Sequence, residues 1–269
     1  MNLSIVIPVY NSESIIVNLI EKIEIAIKKI NYVESFEILL INDFSSDRSW
    51  EKIKLLSKNY NFIKGINLSK NFGQHNAIMC GLNLCNGDYV ITMDDDLQHP
   101  PGSINELLSE LKNKNFDACY TNYLNRRHPL WKKFVSWLNN IVSSHLLNKP
   151  YYIYLSSFRA FKKKIVDEII KYKERDVYLD GLILKTTRNI SIVSVPHSKR
   201  PHGLSNYNFR KLLSLWSNMA VNFPAFPLRP STLLGLFIKF IIIIFRKVTS
   251  LNEKTIKDQY IISEKTFSG

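Results

Sequence analysis

Three adjacent carboxylates stand directly after a β-type run, at Asp94, Asp95 and Asp96. Successive side chains of a β-strand point to opposite faces, so Asp94 and Asp96 share one side. Gln98 adds a neutral oxygen two residues further along. Oxygen ligands of this kind suit Mg²⁺ or Mn²⁺, which usually share their coordination with substrate phosphates. The pattern therefore predicts a divalent metal site formed by Asp94, Asp96 and Gln98, with a solvated acidic turn as the alternative.

The positive charge of the chain is concentrated in its second half. The net charge is +13, and residues 121–269 contain 25 Lys and Arg against 8 Asp and Glu, whereas residues 1–120 contain 11 against 15. A basic half suits a polyanionic partner, such as an anionic membrane surface or a phosphorylated substrate. Nucleic acid is not predicted as a partner, because the chain has no recognised nucleic-acid-binding motif.

Strand and helix patterns alternate along the chain. Residues 13–30, for example, have apolar side chains at helical spacing. This alternation predicts an α/β fold, with a mostly parallel sheet flanked by helices. Ligands of such sheets lie beyond the carboxyl ends of the strands, and Asp43 follows a predicted strand just as Asp94 does. The predicted strands are 3–9, 36–41, 63–68, 88–93, 116–121 and 190–195, and the predicted helices are 13–30, 47–58, 75–84, 104–111, 129–147, 160–171 and 209–222.

The length of 269 residues predicts one large domain with an appendage. Residues 1–207 form the predicted main domain, and residues 208–230 an amphipathic helix with a Pro-rich connection. Residues 231–247 are hydrophobic and adjoin basic residues, which predicts association with a membrane. The uninterrupted apolar stretch is shorter than the ~18–20 residues that cross a bilayer, so spanning stays open and a buried core helix is the alternative. Residues 248–269 are predicted to be a loose polar tail.

The three cysteines are Cys80, Cys85 and Cys119, an odd number without the spacing of a metal site. They indicate reduced thiols in a cytosolic environment and not a disulfide framework. The N-terminal apolar run contains Pro8 and lacks a basic flank, so no signal peptide is predicted.

Several separated segments carry motifs in a recognisable order. Residues 4–13 read Ser-Ile-Val-Ile-Pro-Val-Tyr-Asn-Ser-Glu, and residues 41–47 read Ile-Asn-Asp-Phe-Ser-Ser-Asp. Residues 94–98 read Asp-Asp-Asp-Leu-Gln, and residues 200–207 read Arg-Pro-His-Gly-Leu-Ser-Asn-Tyr. Together these segments resemble the family 2 glycosyltransferases with the GT-A fold, and the last resembles the motif before the membrane segment of polyisoprenyl-phosphate glycosyltransferases, which include dolichol-phosphate mannosyltransferases. Residues 71–81 (Asn-Phe-Gly-Gln-His-Asn-Ala-Ile-Met-Cys-Gly) are similar to bacterial undecaprenyl-phosphate transferases of 4-amino-4-deoxy-arabinose derivatives.

The resemblance implies a nucleotide-sugar donor at the strand ends. Asp94 would meet the ribose and phosphate side of the donor. Asp43 would accept a hydrogen bond from a uracil N–H or a ribose hydroxyl, with a helix N-cap as the alternative. Two positions depart from the family pattern, because Asn42 stands where many relatives have Asp and Phe44 stands where Gly is common. The full set implied for the donor is Pro8, Tyr10, Glu13, Asp43, Asn71, His75, Asp94 and Asp95.

The resemblance also implies a lipid-phosphate acceptor held by basic residues. Such a phosphate is already ionised near neutral pH, so it needs cations and not a general base. Arginine is suited to bidentate pairing with phosphate. Tyr123 and Asn206 depart from the pattern, since relatives often have Arg and Lys there. The set implied for the acceptor phosphate is Arg126, Arg127, Ser157, Arg159, Arg200, His202 and Ser205, with a solvated basic face as the alternative.

The predicted function is therefore metal-dependent, inverting transfer of a sugar from a UDP-sugar to undecaprenyl phosphate at the cytoplasmic membrane face, for cell-envelope polysaccharide or lipid glycosylation. Asp94, Asp96 and Arg200 are its predicted catalytic residues. One alternative is a glycosyltransferase that extends a glycan or a lipid-linked oligosaccharide, with Asp180 as the general base. The other is a catalytically idle scaffold that binds sugar nucleotides. The resemblance also implies that the protein lies at the cytoplasmic (inner) membrane, with the main domain in the cytoplasm. A homo-oligomer is left open.

Overall fold

The computed structural model describes residues 1–124, 144, 149–150, 153–175, 177–196 and 258–267. The chain divides into two compact units, of which the first comprises Met1–Arg127, Tyr154–Leu204 and Gln259–Gly269. The second comprises His128–Ile153 and Ser205–Asp258. Within this second unit, Lys149 Nζ donates hydrogen bonds to Ser144 Oγ (2.9 Å) and to the Ile153 carbonyl (2.7 Å). The predicted segments 129–147, 208–230 and 231–247 lie almost wholly outside the described residues. In the described part of the chain, no helix has the length and hydropathy of a membrane span.

The first unit is built on a twisted sheet. Its described strands lie in the order β7-β5-β6-β4-β1-β2-β3-β8. Strands β4, β1, β2 and β3 are mutually parallel, and so are β5 and β7, whereas β6 and β8 run antiparallel to their neighbours. This arrangement confirms the predicted α/β class with a mostly parallel sheet. The strands are β1 (Asn2–Val9), β2 (Ser35–Asn42), β3 (Ile63–Leu68), β4 (Tyr89–Thr92), β5 (Ala118–Leu124), β6 (Arg159–Lys162), β7 (Ile190–Pro196) and β8 (Ile262–Lys265).

Helices cover the sheet and fix its strand ends. In α1 the residues Ile16, Leu19, Ile20, Ile23 and Ile27 are buried, as the helical spacing predicts. Strand β1 is buried along almost its whole length, which is typical of a parallel strand covered on both faces. The described helices are α1 (Ile16–Lys28), α2 (Ser49–Asn59), α3 (Gln74–Leu84), α4 (Ile104–Asn113), α5 (Lys163–Ile169) and α6 (Leu179–Thr186), with a short 3-10 turn at Pro101–Ser103.

Helix α3 lies close against β1 because of one glycine. A Cβ built on Gly81 would stand 2.4 Å from Val6 Cγ1, so a larger residue would push the helix away from the sheet. This close approach sets the depth of α3, and thereby the position of its first turn, Gln74 to Ala77, relative to the strand ends.

Two predictions about elements are wrong. Residues 160–171 are not one helix, because Arg159–Lys162 form β6 and the helix begins only at Lys163. Short apolar runs of this kind do not distinguish strand from helix by periodicity. Residues 262–265 are not part of a loose tail, because they form β8, which pairs with β3.

Candidate active site

The candidate site lies where β1, β2 and β4 end side by side. Val9 of β1 is paired with Asn42 of β2, and Val6 of β1 is paired with Thr92 of β4. The residues that follow these strands therefore come together at one edge of the sheet, as predicted from the carboxyl ends of parallel strands. Pro8 lies within β1 opposite Ile41.

Asp94 is held by side chains from three parts of the chain. Its Oδ1 atom accepts a hydrogen bond from Gln74 Nε2 (2.6 Å), and its Oδ2 atom accepts one from Ser157 Oγ (2.6 Å). The Asp94 backbone N–H donates to Nδ1 of His99 (3.0 Å), so this ring nitrogen acts as the acceptor. His99 is buried and stacks on Phe158 with ring centroids 5.3 Å apart. These contacts fix the orientation of the Asp94 carboxylate.

Asp95 is used to tie the end of β4 to the turn after β1. Its Oδ2 atom accepts hydrogen bonds from the Tyr10 backbone N–H (3.0 Å) and from Ser12 Oγ. Burial raises the pKa of the Asp95 carboxyl to about 6, and the neighbouring Asp94 and Asp96 carboxylates raise it in the same direction. Asp95 was predicted to bind the donor, and the structure places this carboxylate in contact with the β1–α1 turn.

Asp96 and Gln98 form a tight turn beyond Asp94. The Gln98 backbone N–H donates to Asp96 Oδ1 (3.0 Å), and Leu97 between them has a φ of +60°. Across the described residues, no group of three or more His, Cys, Asp and Glu side chains is arranged to hold a metal ion by itself. The predicted metal ligands Asp94, Asp96 and Gln98 offer carboxylate and amide oxygens, which are the kind of ligand that Mg²⁺ or Mn²⁺ shares with a diphosphate.

Asp43 fastens the loop before α3 to the end of β2. Its carboxylate accepts the backbone N–H groups of Phe72 (2.7 Å) and Gly73 (2.9 Å), and its backbone carbonyl accepts Nδ2 of Asn71 (3.2 Å). Asp43 is only 3% exposed, and this burial raises the pKa of its carboxyl. Gly73 has a φ of +88°, a conformation that favours glycine. Asp43 and Asn71, both predicted donor residues, thus lie together and hold this loop.

Glu13 and Tyr10 flank the same edge of the sheet. Glu13 accepts the Arg48 backbone N–H (2.8 Å), next to Asp47, which accepts the N–H of Ser49 in the first turn of α2 (3.0 Å). Tyr10 is 49% exposed and Phe44 is 56% exposed with a φ of +60°. Two large aromatic side chains therefore face solvent at the ends of β1 and β2.

Arg159 and Asp180 form a buried ion pair behind Asp94. The Arg159 Nη1 atom donates to Asp180 Oδ1, and Arg159 Nε donates to Thr92 Oγ1 (3.1 Å). The Tyr120 hydroxyl donates to the same Asp180 oxygen (2.9 Å). Burial of Arg159 opposes its charge, but the adjacent Asp180 carboxylate raises the pKa of the guanidinium overall. The predicted phosphate ligand Arg159 and the alternative base Asp180 are thus partners of one another.

His75 lies in the first turn of α3, beside Gln74. Its Nδ1 atom is buried and has no hydrogen-bond partner among the described residues. The ring makes an edge contact with Tyr178, with centroids 5.4 Å apart. Burial lowers the pKa of His75 despite the opposing Asp180 charge, and the Arg159 charge lowers it further. His75 is therefore a neutral ring near neutral pH.

Other predicted residues lie outside the described part of the chain, namely Arg126, Arg127, Arg200, His202 and Ser205. Conversely, the sequence analysis missed Gln74, His99, Ser12, Thr92 and Tyr120 as residues that support the site. Gln74 and Ser12 lie within the quoted motifs and His99 directly follows one, so their position was a usable signal. Thr92 and Tyr120 lie inside strands, where no local pattern distinguishes them from core residues.

Comparisons with known proteins identify the family. The model of the family described as "Glycosyl transferase family 2" matches residues 4–170. The undecaprenyl-phosphate 4-deoxy-4-formamido-L-arabinose transferase of Photorhabdus laumondii is 33% identical over 86% of this chain and 71% of its own length. The enzyme with the same name from Pectobacterium atrosepticum is 35% identical over 87% of this chain and 71% of its own length.

Solved structures show the same fold at low sequence identity. Glucosyl-3-phosphoglycerate synthase from Mycobacterium tuberculosis, crystallised with Mn²⁺, UDP and phosphoglyceric acid, is 16% identical, with a TM-score of 0.61 over 84% of this chain and 79% of that one. TarS 1–349 from S. aureus, crystallised with UDP-GlcNAc, is 18% identical, with a TM-score of 0.52 over 94% of this chain and 76% of that one. The fold is thus GT-A-like, and the chain belongs to glycosyl transferase family 2 and is a glycosyltransferase.

Proposed function

We propose that this glycosyltransferase moves a sugar from a UDP-sugar to undecaprenyl phosphate at the cytoplasmic face of the inner membrane. The names of the relatives that are 33% and 35% identical support undecaprenyl phosphate as the acceptor. The structures of the same fold that contain UDP or UDP-GlcNAc motivate UDP as the donor nucleotide. The basic second half of the chain, with residues 208–247, would hold the enzyme at the anionic membrane surface.

The observation that carries the proposal is the pairing of Asp180 with Arg159 and Tyr120. A sugar hydroxyl needs a base to take its proton, whereas a lipid phosphate is already ionised. Asp180 is the base candidate of the alternative function, but its Oδ1 atom is engaged by two buried donors. This carboxylate is buried and binds Arg159 and Tyr120 inside the protein, which supports an acceptor that needs no base.

On the donor side, Asp94, Asp96 and Gln98 would hold Mg²⁺ or Mn²⁺ together with the diphosphate. A bound divalent ion would neutralise the charge on the departing UDP. Gln74 and Ser157 hold the two oxygens of Asp94 in place, which keeps this carboxylate oriented toward the donor. The Tyr10 and Asp43 region at the ends of β1 and β2 would receive the uridine.

On the acceptor side, a phosphate oxygen would attack C1 of the sugar from the face opposite UDP. The C1–O bond to UDP breaks as the new C1–O bond forms, so the configuration at C1 is inverted. Arg126, Arg127, Arg200, His202 and Ser205 are proposed to hold the acceptor phosphate, with Ser157 at the boundary between donor and acceptor.

A phase-partition assay tests the proposal. Detergent-solubilised protein is incubated with undecaprenyl phosphate, Mg²⁺ or Mn²⁺, and labelled UDP-sugars that include UDP-4-deoxy-4-formamido-L-arabinose. We expect label to enter the organic phase, and we expect the Asp96→Asn variant or a chelator to abolish this transfer. Asp167→Asn is the matched control, because Asp167 is an exposed carboxylate on α5 that pairs with Lys163 one turn earlier in the helix.

The alternatives predict different outcomes. If label moves only to an added glycan or lipid-linked oligosaccharide and Asp180→Asn stops it, the enzyme extends glycans and the proposed acceptor is wrong. If the protein binds UDP-sugars but transfers nothing, and Asp96→Asn supports growth as well as the natural protein, the idle scaffold is correct.

A further inference from the structure

Two buried polar atoms without a partner lie next to each other in the sequence. Within the described ranges these atoms are Nδ1 of His75 and Oδ1 of Asn76, both in the first turn of α3. A buried polar atom without a hydrogen bond costs about 1–3 kcal/mol, and most proteins avoid it. The other end of the Asn76 amide is satisfied, since Nδ2 donates to the Phe72 carbonyl (2.9 Å). The His75 ring has no such anchor, so its unpaired nitrogen needs a separate explanation.

The charge state of His75 limits what can bind it. Burial lowers the pKa of the ring, so the imidazole is neutral near pH 7 and Nδ1 offers a single neutral hydrogen bond. A phosphate or a carboxylate would be better served by a cation. A neutral ring nitrogen is instead suited to a hydroxyl or an amide group.

The position of His75 points to one part of the donor. The preceding residue, Gln74, contacts Asp94 at the end of β4. The charges of Asp180 on α6, Arg159 on β6 and Asp94 all act on the His75 ring. In the sheet, β6 lies on one side of β4, and β1 and β2 lie on the other. With the uridine at β1 and β2 and the diphosphate at Asp94, as proposed above, the sugar extends toward β6 and therefore toward His75.

We propose that His75 is a specificity residue, whose Nδ1 atom forms a hydrogen bond with a hydroxyl or amide substituent of the donor sugar. This assignment rests on the proposed function. Such a site discriminates against sugars that lack the matching group. When one of those sugars binds, the buried nitrogen stays without a hydrogen bond, and the complex is less stable. His75 would thus contribute to the choice of sugar and not to the affinity for UDP.

The test measures binding without any lipid acceptor. Calorimetric Kd values are obtained for UDP, for the UDP-sugar that binds most tightly in the transfer panel, and for its monodeoxy or deamidated analogues. The proteins are the natural enzyme, His75→Phe, His75→Asn and Asn83→Leu. His75→Phe keeps a ring against Tyr178, His75→Asn returns an amide atom near the position of Nδ1, and Asn83→Leu is a control at the far end of α3, where Asn83 bonds only to the Met79 carbonyl.

We expect His75→Phe to weaken binding of the UDP-sugar about 10-fold to 100-fold while the Kd for UDP changes less than twofold. One analogue should bind the natural enzyme and His75→Phe equally weakly, and His75→Asn should recover part of the loss. If UDP and the UDP-sugar weaken together, or if no analogue couples to His75, the assignment is overturned while the proposed transfer stands. If the natural enzyme binds no UDP-sugar, the proposed donor is wrong and the assignment falls with it.

Discussion

Arg159 and Asp180 make an ion pair inside the protein, with only 2% and 10% of their side chains exposed. The pair joins β6 to α6, two elements that are separated in the sequence by α5 and the segment after it. It is also linked to the strand that leads to Asp94, because Arg159 binds Thr92, two residues before that carboxylate. The pair therefore helps to hold the end of β4, from which Asp94 follows.

Breaking this pair should destabilise the protein strongly. We expect Arg159→Met or Asp180→Leu alone to lower the free energy of unfolding by about 3–5 kcal/mol, since each leaves a buried charge without its partner. The double variant should recover most of this loss, because it buries no charge. Urea unfolding followed by tryptophan fluorescence gives the three values. Lys171→Ala, which removes an exposed pair with Glu168, is the control and should cost less than about 1 kcal/mol. Additive losses in the double variant would contradict the pairing.

His75 should lower the stability of the protein in mild acid, whereas the raised pKa of Asp95 acts in the opposite direction. Burial lowers its pKa in the folded state, whereas in the unfolded chain it titrates near the ordinary value of about 6.5. As the pH falls below about 6.5, the unfolded chain takes up a proton that folded His75 does not, so the free energy of unfolding decreases. His75→Phe should remove this component and flatten the stability curve below pH 6.5. At pH 7.5–8.5 the curves of unfolding free energy against pH should be parallel for the natural protein and the variant. If the curves are also parallel below pH 6.5, the pKa of His75 is not lowered in the folded protein.

The donors that orient Asp94 should matter for catalysis more than for stability. We expect Gln74→Leu and Ser157→Ala each to lower metal-activated transfer about 10-fold to 100-fold, as outer partners of metal-binding carboxylates do. Steady-state rates over a range of Mn²⁺ concentrations measure this effect. Ser109→Ala on α4, where the hydroxyl bonds only to the Glu106 carbonyl, should be silent. If Ser157→Ala changes only the KM for the lipid, Ser157 serves the acceptor and not Asp94.

Phe44 occupies a backbone conformation that glycine adopts more easily. At a φ of +60°, a residue with a Cβ costs roughly 1–2 kcal/mol, and Phe44 is too exposed to recover this cost by burial. Phe44→Gly should therefore raise the free energy of unfolding by about 1 kcal/mol. Asn11→Gly is a matched test at a φ of +55°, but it should destabilise the protein, because Asn11 Oδ1 accepts the Ser46 N–H (2.8 Å). Thermal unfolding distinguishes the two, and the same sign for both would count against the argument from strain.

Local patterns were sufficient to predict the parallel part of the sheet that consists of β4, β1, β2 and β3. The apolar run of β1 and the spacing in α1 correspond to burial seen in the structure, and the carboxylates after β2 and β4 come to one edge as the strand ends predicted. These features depend on residues that are close in sequence. Periodicity and turn signals report such short-range structure well.

The rest depends on contacts between distant segments. Strand β6 inserts antiparallel between β5 and β4, and only this placement brings Arg159 to Asp180 and Thr92. Arg159 lies in the basic half of the chain, and no local sequence pattern predicts that this arginine is buried. The Asp95 contact with Ser12 also has no local signal, because the two residues are 83 positions apart. The alternation of a strand predicts only that Asp95 points to the opposite face from Asp94 and Asp96.

Strand β8 is synthesised long after β3, the strand with which it pairs. Strand β8 covers the outer edge of β3, where Ser263 bonds to the Asn67 carbonyl across a separation of 196 residues, and Trp50 of α2 bonds to Glu264 (2.8 Å). At roughly 5–20 residues per second, a ribosome needs about 10–40 s after making β3 before its partner exists. During that time β3 is an open edge that can pair with another nascent chain. Strand β8 thus protects an edge that is made long before β8 itself leaves the ribosome.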